Sequence, residues 1–324
     1  MTMDTSILRG TLYGGAPLWL WLVFHALVLT LLAADWFFTR NKLGERTIAR
    51  RAYWLTAAWI LAAFLFALFI HFELSATYAL EYVTGYGIEE ALSIDNLFVF
   101  LILFRAFGLG PSRQRRLLFL GVTGAIVMRG IMIFAGIRLL NAFSWMSYIF
   151  GGILLYAAWH LLRKSLKPET GRAPRWIEWL TQRLPMASQE HRQRFVVRED
   201  GRLRFTPLFV ALIAIETTDL VFATDSIPAV LAVSHHPFVV YSSNVFAILG
   251  LRSLYFTLAA ALERLHKLRY GLVAILAFVG VKMMLGHFYI IPIWVSLTVL
   301  GSAITITAIW SLLSKQDSPT IQTR

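Results

Sequence analysis

The chain has 324 residues, 58% hydrophobic, 14% aromatic and 15% charged, with no cysteine. That balance is too apolar for an ordinary water-soluble domain, and the missing thiols exclude disulfides, thiolate metal ligands and Cys-x-x-Cys redox chemistry together. A net charge of +12 would point to nucleic acid in a soluble protein, but the basic residues lie between apolar stretches, so the bilayer and not nucleic acid is the expected partner.

The first apolar run, Pro17 to Phe38, is preceded by one basic residue, Arg9, and followed by Arg40, Lys42, Arg46, Arg50 and Arg51. A signal peptide carries its charge before the apolar segment, so this run is expected to be a retained helix with an outside N-terminus. Further runs follow near 53–71, 85–105, 117–140, 146–163, 206–233, 239–262, 270–287 and 291–313. Each approaches the roughly 18–20 residues that cross a hydrocarbon core. The expected fold is all-α and polytopic, with about nine transmembrane helices. The loops 40–51, 105–116, 163–205 and 263–269 and the C-terminal tail then share one side and hold 25 of the 30 Lys and Arg residues, which makes that side cytoplasmic.

Residues 163–205 form the one long polar stretch, with eleven basic and five acidic residues interrupted by Pro168, Pro174 and Pro185. It reads as a cytoplasmic linker, in which Trp176, Ile177, Trp179 and Leu180 suggest a short amphipathic helix at the membrane surface. On either side of it the sequence repeats itself. Glu89 and Asp95 are six residues apart, as are Asp219 and Asp225; LSIDN at 92–96 lies over FATDS at 222–226, Arg129 over Arg252, and Tyr148 with His160 over Tyr270 with Lys282. Three helices per copy, an odd number, require the second copy to be inverted in the membrane. The expected organisation is helices one and two over 1–84, repeat one over 85–163, the linker over 164–205, repeat two over 206–288, and a ninth helix with its tail over 289–324.

Glu89, Glu90, Asp95, Glu216, Asp219 and Asp225 all fall within predicted spans. Each would cost about 2.5–3.5 kcal/mol facing lipid at a helix centre, so they are expected to face the bundle interior. On a straight helix Glu89, Ser93 and Asn96 share a face, as do Glu216, Asp219 and Ser226, while Asp95 and Asp225 point about 120° away. Pro228 predicts local unwinding that would free the Thr224 carbonyl beside Asp225. Asn96, Ser226, Thr218 and Asn244 could add amide or hydroxyl oxygens. Such hard oxygen donors suit Mn²⁺, Ca²⁺ or Mg²⁺. A proton path through the same carboxylates is the competing reading, and proton antiport would reconcile the two. Arg129 and Arg252 need carboxylate partners, either as structural salt bridges or as tethered cations that neutralise the empty site and withdraw when metal enters. Asp35 reads as an interfacial acid and His71, His235, His236 and His287 as outer-side residues outside the cluster. No enzymatic chemistry and no permanently bound cofactor is expected; protein partners and oligomeric state are not legible.

IEEALSIDNLFVF and ETTDLVFATDSIPAV closely resemble the signature segments of the TerC membrane-protein family, as do SNVFAILGLRSLYF at 243–256 and YGLVAILAFVGVKM at 270–283. With two leading helices, the basic linker and this length, the chain is similar to the branch called Alx, across residues 17–313. The resemblance implies a bacterial inner-membrane protein tied to metal homeostasis and Mn²⁺ export, with a redox-modulator label in that branch. It also implies metal-site roles for Glu89, Asp95, Asn96, Glu216, Asp219, Asp225 and Ser226, the positions that match the acidic motifs. Glu90 departs from relatives that carry a basic residue there, which weakens it as a ligand. A membrane redox modulator or metallation partner without transport activity is the alternative the resemblance leaves open.

Overall fold

In the computed structural model, residues 12–13, 15–39, 45–143, 145–165, 183–185, 187, 194–199, 202–258, 267–286, 288–289 and 291–314 are described. A two-residue hairpin, β1 (Leu12–Tyr13) with β2 (Ala16–Pro17), leads into α1 (Leu18–Thr39), α2 (Glu45–Glu73), α3 (Ala76–Ala106), α4 (Pro111–Ala142) and α5 (Met146–Ser165). After the linker come β3 (Val196–Glu199), β4 (Arg202–Phe205), α6 (Pro207–Leu231), α7 (Pro237–Leu258), α8 (Leu268–Leu285) and α9 (Ile293–Leu313).

Among the described residues six helices are long and apolar enough to cross a membrane: α4, α6, α8, and the stretches Ala52–Glu73 of α2, Pro237–Thr257 of α7 and Ile293–Ser311 of α9. Their outward faces carry large apolar side chains left exposed, such as Phe64 and Leu68 on α2, Val127 and Ile131 on α4, and Ile306 and Trp310 on α9. Exposed stripes on this scale have lipid as their solvent.

Two sequence expectations are corrected. Helix α3 begins at Ala76, nine residues before the expected start at 85, because Tyr78, Tyr82 and Tyr86 continue its packed face. Helix α6 runs unbroken through Pro228; the missing N–H is tolerated inside the helix, and the chain does not unwind at Asp225. The end of the linker is an ordered antiparallel hairpin, with Val196 paired to Phe205 and Glu199 to Arg202. The expected surface helix at 176–180 lies outside the described residues.

Helix α7 is the axis of the bundle. Every residue from Phe238 to Ser253 is buried, enclosed by α2, α3 and α4. Its hydroxyls are satisfied locally, Ser242 donating to Val239 O and Ser243 to Val240 O. Within the six helices α3–α8 the principal pairs are α3 with α7, α4 with α6, α3 with α6, α4 with α7 and α5 with α8, while α2 packs on α7 and α9 on α8 outside that set. Exchanging α3 with α6, α4 with α7 and α5 with α8 maps this set onto itself. The α5–α8 contact brings backbones together at two glycines: a Cβ on Gly151 would lie 2.9 Å from Gly280 O, and one on Gly280 would lie 3.1 Å from Gly151 O.

Candidate functional site

Four helices deliver one buried polar group each to a common centre. Glu89 comes from α3, Arg129 from α4, Asp219 from α6 and Asn244 from α7, and none is more than 4% exposed. The Arg129 guanidinium is ion-paired to Glu89 through Nη1 and to Asp219 through Nη2, the latter at 3.0 Å, and Nε reaches Asp219 Oδ2 at 3.4 Å. Nη1 also donates to Asn244 Oδ1 at 3.0 Å and to Ser226 Oγ at 3.3 Å. Asn244 Nδ2 in turn donates to Glu89 Oε2 at 3.0 Å. Planar guanidinium suits this multiple recognition better than a lysine ammonium would.

The local sequence explains the delivery. Asp219 and Ser226 are seven residues apart, two turns of α6, and so share a face. Glu89 and Ser93 do the same at one turn on α3, and both are fully buried. Burying these groups unpaired would cost several kcal/mol each, so the guanidinium is what allows two carboxylates into the core. Counted as ionised, two carboxylates and one guanidinium leave the centre one negative charge in excess. Replacing the guanidinium with a divalent cation would make it neutral; a monovalent one would not.

The remaining sequence-predicted residues lie elsewhere. Glu216 rests against α4 at Gly124, where an added Cβ would meet its carboxylate oxygen at 2.5 Å, so Gly124 makes room for it. Thr218 turns its hydroxyl back to Ala214 O at 2.6 Å. Glu90, next to Glu89 in sequence, points away from the centre toward Gly250 of α7 and bonds with Tyr86. Asn96, Thr224 and Asp225 line a separate cavity of about 420 Å³ between α3, α5, α6 and α8. Arg252, buried like Arg129, lies over the Phe119 ring with Cζ 5.4 Å from its centroid. The side chains of Asp35 and Asp95 and the whole of His287 are outside the described residues. The expected convergence of the acidic-motif residues is therefore divided, for those described, among the arginine centre, the cavity and the place of Glu216 beside Gly124. Among the described residues no three of His, Asp and Glu gather closely enough to hold a metal ion.

Sequence reasoning did not find the linking role of Asn244, which needs the α3–α7 contact to become visible. It also gave no role to His160, which lines the cavity with Asp225. The available signal was a lone imidazole on the otherwise apolar α5, one turn after Tyr156. His71 lies in the last turn of α2, while His235 and His236 lie in the turn between α6 and α7, where partial burial lowers the pKa of the His236 imidazole. His236 packs on Tyr78 at 4.5 Å and against Gly15 of the β1–β2 hairpin, whose φ of 80° and lack of a Cβ permit the approach.

Lipid-facing helices around a buried charged centre define an integral, multi-pass membrane protein. It belongs to the TerC family: the model described as "Integral membrane protein TerC family" matches residues 74–318, beginning at the turn between α2 and α3. Over 238 residues, covering 73% of this chain and 74% of the relative, it is 46% identical to a Salmonella typhi protein that carries the provisional name membrane-bound redox modulator Alx. Over 304 residues, covering 91% and 94%, it is 42% identical to the Escherichia coli K12 protein of the same provisional name. A Myxococcus xanthus protein described as uncharacterized membrane protein STKORF319 is 37% identical over 305 residues, 93% of this chain and 94% of that one. No solved structure matches the chain.

Proposed function

We propose that the chain exports a divalent metal cation, Mn²⁺ foremost, across the bacterial inner membrane, with its N-terminus periplasmic and its C-terminus cytoplasmic. The single observation that carries the reading is the Arg129 guanidinium held by Glu89, Asp219, Asn244 and Ser226 in a fully buried position. The arginine occupies the place of a cation. A divalent ion entering from the cavity lined by Asn96 and Asp225 takes over Glu89 and Asp219, and the guanidinium withdraws. Asp95, Glu216, Thr218 and Thr224 supply further oxygens along the path, and protons returning on the same carboxylates make the cycle an antiport.

The exchange symmetry of the helix pairs supports two inverted three-helix units, α3–α5 and α6–α8, with the ion handled at their interface. All nine helices are read as spans, α1, α2 and α9 flanking the two units. Proteoliposomes holding the full chain test the reading: Mn²⁺ moves and Glu89→Gln and Asp219→Asn stop it at unchanged protein level. Wild-type Mn²⁺ flux no greater than that of protein-free vesicles would overturn it.

A second reading follows the name carried by the relatives, a redox modulator or metallation partner that moves no ion. The chain has no cysteine, so thiol–disulfide exchange by its own residues is excluded, and an indirect effect through metal supply is the form consistent with it. The same flux assay separates the two.

A further inference from the structure

The arginine centre is built almost wholly of oxygen ligands, which bind Mg²⁺, Ca²⁺ and Mn²⁺ on similar terms. Discrimination in favour of a transition ion has to come from a softer donor on the path. The cavity supplies one. Its polar lining is Asn96 from α3, Thr224 and Asp225 from α6, and Tyr156 and His160 from α5; Arg129 does not line it. Tyr156, His160 and Thr224 are exposed, so the cavity opens at the helix surface, and its volume of about 420 Å³ leaves room for an ion with oxygen ligands at roughly 2.0–2.6 Å that keeps part of its water shell.

His160 is set up to serve as a ligand. Its ring lies nearly parallel to Tyr156, 6.0 Å between centroids and 23° between planes, which limits its orientation. The nearest cation along α5, Arg163, is engaged over the Trp159 ring at 4.0 Å, which holds its charge on a neighbouring aromatic. Across the cavity, Thr224 donates to Val221 O at 2.6 Å and approaches Asp225 Oδ1 at 3.4 Å, which fixes the carboxylate's own side of the cavity.

Resting on the transport reading above, we infer that His160, facing the cavity with Asp225 and Asn96, is a nitrogen ligand at an entry site apart from the Arg129 centre and selects a transition-series divalent cation ahead of Mg²⁺ and Ca²⁺. Imidazole favours the later first-row ions and contributes little to Mg²⁺ or Ca²⁺, whereas the carboxylate and amide accept all of them. One carboxylate, one imidazole and one amide oxygen, completed by water, make a mixed set suited to Mn²⁺ or Fe²⁺. The centre beyond it then receives an ion already selected.

The test uses the purified full chain with Mn²⁺ alone as probe. Pulsed electron paramagnetic resonance of the bound Mn²⁺ is expected to show hyperfine coupling to a ¹⁴N nucleus; His160→Ala and the longer, oxygen-bearing His160→Gln both remove it, and His25→Ala, whose ring is held by Trp21 O, leaves it. In proteoliposomes, His160→Gln lowers by roughly tenfold the Mg²⁺ concentration that halves Mn²⁺ flux, the scale on which changes around a metal site move affinity. Wild-type flux with no nitrogen coupling, or coupling that survives both substitutions, overturns this inference and leaves the transport reading standing. Coupling lost in both variants without any wild-type flux keeps His160 as a ligand and overturns transport. A paired aromatic anchor at the membrane interface would give neither the nitrogen signal nor the change in Mg²⁺ competition, and that outcome also overturns the inference.

Discussion

Arg129 and Arg252 hold matching places in the two copies of the sequence pattern, and both are buried, yet their surroundings differ. Arg129 draws in the matching acids of both copies, Glu89 and Asp219, together with Asn244. Arg252 packs over the Phe119 ring. Helix packing within α3–α8 keeps the exchange of partners, and Arg129 ties the matching acids of both copies into one centre. One guanidinium can satisfy two carboxylates, so a single arginine suffices to hold an acid from each copy.

The comparison breaks first at Arg129. Arg129→Met leaves two buried carboxylates uncompensated, and removing one partner of a buried pair costs about 3–5 kcal/mol; thermal unfolding in detergent and the amount inserted in membranes both fall sharply. Adding Glu89→Gln and Asp219→Asn to that variant restores most of the stability without restoring Mn²⁺ flux. Failure of the triple variant to recover would mean the arginine does more for the fold than pair these acids.

Asn244→Ala removes the link between Glu89 and Arg129 and leaves a buried acceptor underused, a loss of about 1–3 kcal/mol, with weaker Mn²⁺ binding in titration calorimetry. Arg252→Met removes at least the contact with the Phe119 ring, worth about 0.5–2 kcal/mol, read by the same thermal unfolding.

The smallest effect concerns the turn between α6 and α7. Partial burial holds the His236 pKa below the ordinary imidazole value, so the packed turn favours a neutral ring. The released turn binds more protons as pH falls through about 6.5, so packing is favoured above that pH and weakened below it. Amide exchange at Leu12, Tyr13, Gly15 and Ala16 and at 232–236, corrected for intrinsic rate, should quicken between pH 7.5 and 5.5. Slower exchange at the lower pH would mean that protonation tightens the turn.

Much of this was legible without coordinates, for reasons that differ by residue. The six apolar helices follow from composition and length, because a bilayer demands continuous apolar segments whose backbone bonds close internally. Glu89 and Asp219 stood out as costly intramembrane acids, and Arg129 as a cation needing a carboxylate. The same reasoning overrated Pro228, since lost local bonds can be tolerated by the surrounding packing. It offered Thr218 as a possible additional ligand without showing that the hydroxyl donates to its own helix at Ala214 O, and it had no means of placing Asn96 and His160 on one cavity.

The sequence by itself determined a multi-pass helical membrane protein, with acids and arginines that could not face lipid and a pattern that recurs on both sides of a basic linker. Those are properties of single residues and of spacing along one helix. Which carboxylates share Arg129, that Asn244 joins them, and that Asp225 faces His160's cavity were decided only by the packing of α3, α4, α6 and α7, and of α5 beside α8. Contacts between distant segments depend on the depth and rotation of each helix against its neighbours, and no periodicity within a helix encodes either.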